Sequence, residues 1–398
     1  MRDINLTNIQ AKSGIHRAIV PEIFLITLYR SLAPYRGCSH GCLYCDGRAE
    51  KYFVEGNFES DIAVRNNLIE LVTRDIAKGV TAREYGALSF SSGVTDVYQP
   101  VEEKYGLSRQ LLKALLPAQL PLVILTKNDL VLRDFDILSQ FPEVLIMTTI
   151  TTLDTELSDF LEPDASSPNK RLDIIKKAKE HGFHTGVLTM PLCPGLTDDV
   201  NTVQSLFETL KNAGADFISP GNLTLRPGCQ KDLFMHSINN SYPHLNNLYT
   251  TIYSEERQSG MPRLHYTKPL YSTYLRILAD MKMPSMIPHS IYKKFLTPPD
   301  YMYVLLCHMN ELYSNRGVNT APLKKATLQY GEWLKTLRSG LRRKRLPVDD
   351  NFVITRIMTE KLCESNLETV LGNKKLADLF HTILGNDVCF DYTELKLV

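Results

Sequence analysis

Between about residue 24 and residue 226, short apolar runs rich in β-branched residues alternate with segments of helical spacing. Few architectures accept that alternation. The runs predict strands over Phe24–Tyr29, Ala87–Ser92, Leu122–Lys127, Val144–Thr151, His184–Met190 and Asp216–Leu225. Helices are predicted between them, over Ile62–Ala77, Leu107–Leu116, Arg133–Gln140, Asn169–His181 and Val200–Ala213. Continuously apolar strands joined by helices belong in a parallel sheet covered on its faces. Six such units predict an α/β fold, a partial (β/α)6 TIM-like barrel. A doubly wound sheet is the alternative, but neither G-x-G-x-x-G nor a phosphate-loop motif is present.

After about residue 240 the strand rhythm fades into helical patterns and tyrosines become frequent. The expected organisation is an N-terminal segment (1–23), the barrel (24–240) and a mainly helical C-terminal extension (241–398). The composition, 43% hydrophobic and 22% charged over 398 residues, is that of an ordinary globular protein. A net charge of +1 gives no overall pull toward nucleic acid or anionic membrane, so any such attraction must be local. The N-terminus lacks the apolar core of a signal peptide, and the runs "IFLITLY" and "VLIMTTIT" are too short to span a bilayer. A cytoplasmic, reducing location and no membrane association are expected. Clustered cysteines are there metal ligands or reactive thiols.

Such a cluster follows the first predicted strand. "RGCSHGCLYCDGR" (36–48) carries Cys38, Cys42 and Cys45, while Cys193, Cys229, Cys307, Cys363 and Cys389 are scattered singly. A structural zinc normally takes four protein ligands, and His40 lies inside the same short loop, where it would strain to close a tetrahedron. Three thiolates suit a 4Fe-4S cluster whose fourth iron keeps an open position. Zinc, or a redox-active trio, remains the alternative. The other unusual loops, "SSGVTDVYQP", "TKNDL", "TTLD" and "PLCPGLTDD", all follow predicted strands. In such folds that rim carries the chemistry.

The motif C-x-x-x-C-x-aromatic-C after the first strand of a β/α series resembles the radical SAM superfamily. "LAPYRGCSHGCLYCDGR" is similar to its spore-photoproduct-lyase-like branch, and "SFSSGVTDVYQPVEEKYGLSR", "ILTKNDLVLRD", "TTITTLDTELSDFLEPDASSPNKRL" and "MPLCPGLTD" extend the likeness over about 28–227. The resemblance implies that Cys38, Cys42 and Cys45 hold a 4Fe-4S cluster and that S-adenosylmethionine occupies the open iron. An electron from a donor such as flavodoxin or ferredoxin would then release a 5′-deoxyadenosyl radical that takes a hydrogen from the substrate.

Carried over residue by residue, the resemblance sets Tyr44 near the adenine, and Ser91, Ser92 and Gly93 at the methionine amino group. Lys127 falls at the carboxylate, and Thr149 and Thr151 at the ribose or methionine. Backbone around Met190 and Pro191 would flank adenine. Asp96 and Tyr98 are catalytic or substrate-pocket candidates, with a helix cap the plainer role for Asp96. Arg226 could meet an anionic substrate group or a structural partner. The branch's hydrogen-donating cysteine after strand two is missing from "SFSSGVTD", and Cys193 is the candidate replacement. Asp46 stands where relatives commonly carry tyrosine.

"KKATLQYGEWLKTLRSGLRRKR" (Lys324–Arg345) holds eight cations against Glu332 alone, with Trp333, Leu337 and Leu341 at four-residue spacing. It reads as an amphipathic helix with a basic face that could bind nucleic acid, or as a solvated face balanced by acids such as those of "PVDDN". The substrate expectation is a nucleic-acid lesion or base, against a peptide or small metabolite. A non-catalytic iron-sulfur or zinc-binding protein is the reading of another class.

Overall fold

The computed structural model describes residues 3–346 and 351–398. In chain order its strands are β1 (Asn5–Ile9), β2 (Ile15–Glu22), β3 (Thr27–Ser31), β4 (Tyr35–Arg36), β5 (Asp61–Arg65), β6 (Leu88–Phe90) and β7 (Leu122–Thr126). They continue with β8 (Val144–Thr149), β9 (His184–Leu192), β10 (Phe217–Asn222), β11 (Phe390–Asp391) and β12 (Lys396–Leu397). The central sheet runs β10-β9-β8-β7-β6-β3-β2, and all its pairs are parallel except β2 with β3. Six parallel strands with helical crossovers make the expected partial (β/α)6 barrel, unclosed between β10 and β2. The free edge of β10 is occupied instead: Ile218 N donates to Pro284 O (3.0 Å) and Ser219 Oγ to Ser285 O (2.6 Å).

Register divides each strand between two cores, because successive side chains point to opposite faces. Leu88, Leu122 and Val144 form one row and pack outward on the helices Leu68–Ala77 and Leu107–Leu115. Ala87, Val123, Leu145, Met147 and Phe217 point inward and share one core with Tyr292, Phe295, Met302, Leu305 and Phe380. The helical C-terminal region therefore fills the barrel near the N-terminal ends of its strands. Each buried side chain of this size contributes about 1.5–3 kcal/mol, so the shared interior fixes the two parts to each other.

Residues 3–23 supply β1 and the edge strand β2. Two expectations change. The helix expected over Ile62–Ala77 starts at Leu68, because "DIAVR" alternates with period two and buries Ile62 and Val64 beside Tyr35. The helix expected over Arg133–Gln140 contracts to the single turn Phe135–Leu138 behind a 3-10 segment, Asp129–Asp134.

The basic segment also departs from its expectation of a continuous charged face. It does form a helix, Ala321–Arg343, but two of its cations point inward. Arg338 donates to both carboxylate oxygens of Asp300 (2.8 and 2.7 Å) and to Ile19 O (2.6 Å), with its Nε 2.9 Å from Glu84. Arg342 donates twice to Glu84 (2.6 and 3.0 Å) and once to Ala18 O (2.8 Å). Leu341 sits on the buried side, which is why one face of the helix turns toward the interior. Lys324, Lys325, Lys335, Arg343, Lys344 and Arg345 remain exposed, Lys335 beside Glu332 (2.7 Å); the acidic stretch 347–350 lies outside the described residues. Among the described residues no helix is long and apolar enough to cross a membrane.

Removing one partner of a buried ion pair leaves an uncompensated charge, at a cost of about 3–5 kcal/mol. Arg338→Met is therefore expected to lower unfolding stability by about that amount in urea titrations, since Asp300 and Glu84 are both strongly buried. An unchanged midpoint would mean that this arginine belongs to the surface.

Candidate active site

The cysteine loop leaves β4 through Gly37 and turns again at Gly41, with φ of +80° and +66°. Each glycine directly precedes a cysteine, and any other residue would be strained there. The loop is held from several sides. Cys38 N donates to Phe58 O (2.9 Å) and Leu43 N to Leu161 O (2.9 Å), while His40 O accepts from Asp164 N (3.1 Å). Gln99 accepts from Ser39 N (2.8 Å) and donates to Gly37 O (3.1 Å). Arg48 donates to Gly41 O and Cys42 O (both 3.1 Å) and pairs with Glu59.

The loop aims its thiols into a cavity lined by Cys38, His40, Cys42, Cys45, Ser92, Gly93, Thr95, Asp96, Leu125, Thr126, Lys127 and Thr149. The cavity sits at the C-terminal ends of β6, β7 and β8, where the fold places chemistry. Burial pushes all three thiols up, Cys42 to about 12, so each needs a metal or a cation to become a thiolate. Among the described residues no three Cys, His, Asp or Glu side chains converge to hold one metal ion. The three cysteines line one cavity, an arrangement open to a cluster with one iron per thiolate.

Behind the cavity lies a buried electrostatic array. Burial alone would lower the Lys127 pKa, yet Cys42, Glu162 and Cys45 hold it above its ordinary value, and its Nζ stands 5.7 Å from the centre of the Tyr44 ring. The Tyr44 hydroxyl donates to Glu162, whose other oxygen pairs with Arg171. Arg171 is further satisfied by Ser166 O (2.6 Å), Thr149 O (2.7 Å) and Ser158 Oγ (3.2 Å). Burial would raise the Glu162 pKa, but Arg171 and Lys127 bring it below the usual glutamate range.

Asp96 lines the cavity and organises it. It accepts from Tyr98 N, Thr126 Oγ1 and Lys127 N, each at 2.8 Å. It also faces His40 at 3.6 Å, which burial keeps neutral by depressing its pKa to about 4. Gly93 has nothing within 4 Å of where a Cβ would stand, so its backbone borders open space. Ser91 accepts from Leu125 N (2.8 Å) and Ser92 from Val94 N (3.3 Å).

Not every sequence candidate reaches the cavity. Tyr98 is fully buried in the outer core, edge-on to Phe90 with ring centroids 6.5 Å apart. Thr151 is buried but does not line the cavity, and Met190 borders a different one. Cys193 packs behind the cysteine loop with Cys42, Tyr44, Tyr249 and Tyr253, and burial raises its thiol pKa. Arg226 is not free for a substrate, because Asp46 pairs with it at 2.5 Å. Asp46 also accepts from Tyr52 Oη (2.8 Å), and nearby Gln230 Nε2 donates to Tyr44 O (2.9 Å) and Glu50 accepts from Cys229 N (2.9 Å). The unexpected aspartate thus belongs to a clasp between the first and last loops of the barrel. Glu162, Arg171 and Gln230 were not singled out from sequence; the cation at 171, in helical register with Ile174, Ile175 and Ala178, was the one available signal.

The comparisons fit this geometry. The radical SAM superfamily profile matches residues 32–207. An uncharacterised protein of Methanocaldococcus jannaschii is 31% identical over 196 residues, covering 49% of this chain and 70% of that one. An uncharacterised protein of Mycobacterium tuberculosis is 28% identical over 280 residues, covering 69% and 78%. Among solved structures, a spore photoproduct lyase variant superposes with a TM-score of 0.50 at 18% identity, covering 69% of this chain and 79% of that one; at that identity it shows shared fold. The chain belongs to the radical SAM superfamily and is a radical SAM enzyme, whose cofactors are a 4Fe-4S cluster and S-adenosylmethionine.

Glu162→Gln is expected to cost about 3–5 kcal/mol near neutral pH, because Arg171 loses its counter-charge in the interior. The sign with pH follows from its lowered pKa. Its contribution is complete above the usual 4.5 and is lost as pH falls through the folded value. Chemical unfolding across pH 3–7 should show the variant's deficit shrinking toward acid; a constant deficit would contradict the assignment.

Proposed function

We propose that Cys38, Cys42 and Cys45 hold the cluster, and that Lys127, Thr149, Ser92 and Gly93 receive S-adenosylmethionine beside it. The observation that carries this reading is that these seven residues line one cavity at the C-terminal rim of the sheet. When bound, the cofactor pair supplies a 5′-deoxyadenosyl radical by reductive cleavage of the sulfonium. Lys127 offers a buried, charged donor to the carboxylate, with geometry kept by Asp96 through the backbone amide. Gly93 leaves backbone room for the methionine end, and Thr149 stands on the inner face of β8 for the ribose or methionine. Tyr44 is committed to Glu162 through its hydroxyl and offers its ring to Lys127 and the adenine side. Burial of the site excludes water, which protects a reactive intermediate from side reactions.

Two substrate classes compete within this reading. A small metabolite or peptide segment is favoured by the interior roles of Arg338 and Arg342, which shorten the basic face. A nucleic-acid lesion is the second, supported by the six cations left exposed and by the fold neighbour, a spore photoproduct lyase variant with bound AdoMet and dinucleoside spore photoproduct.

Anaerobic reconstitution with iron and sulfide, then dithionite and S-adenosylmethionine, should yield 5′-deoxyadenosine; its absence from an intact, reduced cluster sinks the reading. Cys42→Ala is expected to lose both the brown chromophore and the product. Lys127→Ala should keep the chromophore but weaken S-adenosylmethionine binding by roughly 10–100-fold, the range for a hydrogen bond from a charged donor. Gel shifts over a salt series separate the substrate classes: a shift that fades as salt rises marks the nucleic-acid reading.

A further inference from the structure

Beside the cysteine cavity, and sharing Ser92 and Gly93 with it, lies a second cavity of about 440 Å³ between β2, β3 and the end of β6. Strand register decides which side chains face it. His16 pairs with Arg30, Arg30 with Ser89, Ser89 with Val123 and Val123 with Leu145, so the five form one row across the sheet. Val123 and Leu145 belong to the barrel interior, and residues in one row point to one face. His16, Arg30 and Ser89 therefore point inward too.

The polar groups on this row are unspent. The Ser89 hydroxyl, on a residue only 1% exposed, has no hydrogen-bond partner, which is rare for a buried donor. Among the described residues the Arg30 guanidinium has neither a hydrogen bond nor an ion pair. His16 has only Ser13 Oγ, 3.3 Å from its Nε2. Glu22, which also lines the cavity, turns its carboxylate to its own loop, accepting from Phe24 N (2.9 Å) and Leu25 N (2.6 Å), and makes no hydrogen bond or ion pair with Arg30 or His16. The chamber carries an unpaired guanidinium, a free hydroxyl and the apolar walls of Phe24, Leu25 and Leu28.

We propose that this cavity is the substrate chamber and that it receives an oxyanion, a carboxylate or a phosphate monoester, on Arg30, His16 and the Ser89 hydroxyl. The inference rests on the radical SAM reading, since it is the shared wall at Ser92 and Gly93 that brings the bound group beside the cofactor cavity. A guanidinium and a hydroxyl satisfy an oxyanion by charge-assisted hydrogen bonds, while the apolar wall holds an uncharged body. His16 on β2 and Arg30 on β3 lie outside the region matched by the family profile, whereas Ser89 on β6 lies inside it.

The test uses the anaerobically reconstituted protein with S-adenosylmethionine and no reductant, titrated calorimetrically. One arm compares thymidine 5′-monophosphate with thymidine; the other compares 3-phenylpropionate with 3-phenylpropanol. In at least one arm the anion should bind about tenfold or more tightly than its neutral partner, and that arm identifies phosphate or carboxylate as the group. Arg30→Gln should erase the margin while leaving the neutral compound's affinity in place, and Ser89→Ala should reduce it several-fold without moving the melting temperature. Should Arg30→Gln fail to fold, Arg30→Met and Ser89→Ala carry the same comparison. Equal affinity of anion and neutral partner in both arms overturns the proposal, as does a margin untouched by these substitutions. Formation of 5′-deoxyadenosine is read separately. A protein that cleaves S-adenosylmethionine but shows no anion preference defeats this inference alone, whereas one that makes no 5′-deoxyadenosine defeats the reading beneath it.

Discussion

Arg171 and Glu162 form an ion pair from which water is excluded on all sides, and the rim of the barrel is arranged around it. Taking two charges out of water costs several kcal/mol per ion, and their attraction offsets this only where the remaining donors and acceptors are satisfied. They are satisfied here: Arg171 reaches the carbonyl of Thr149 at the end of β8, and Glu162 takes the hydroxyl of Tyr44 from the cysteine loop. One pair thereby joins a strand end, the loop that follows it and the loop carrying the thiols. Lys127 stands in the same field, so its charge is maintained by neighbours that are themselves fixed.

The opposite end of the molecule repeats the device with other residues. Glu84 and Asp300 hold Arg338 and Arg342, and the two arginines also donate to carbonyls of β2. Helix Ala321–Arg343 is thus fastened to the edge of the sheet by charge as well as by the apolar core beneath it. The lower half of the barrel is closed by hydrophobic packing and these pairs.

Much of this was legible in the chain because it is local. A strand core such as Leu122–Thr126 declares itself through five consecutive apolar or β-branched residues, and its terminal lysine declares an anion nearby. Cys38, Cys42 and Cys45 are close in sequence because one loop must present them together. Lys127, Thr149, Ser92 and Gly93 could be assigned to one cavity because strand ends in a parallel sheet converge on one rim. What escaped is long-range. Nothing near Arg338 tells that Glu84 and Asp300 await it, so a basic helix read as a surface stripe. Asp46 carries no sign of Arg226, and Tyr98 follows Asp96 by only two residues yet turns into the outer core. The strand in "DIAVR" was hidden by a helical pattern that begins beside it.

The clasp between Asp46 and Arg226 joins residues 180 positions apart. A ribosome adding about 5–20 residues per second needs roughly 10–40 seconds to cross that distance. For that interval the loop with its three thiols exists while its outer fastening does not. The order of residues along the chain therefore acts as a delay, during which the thiols face a surface still being built. The lock on that loop is among the last parts of the barrel to be synthesised.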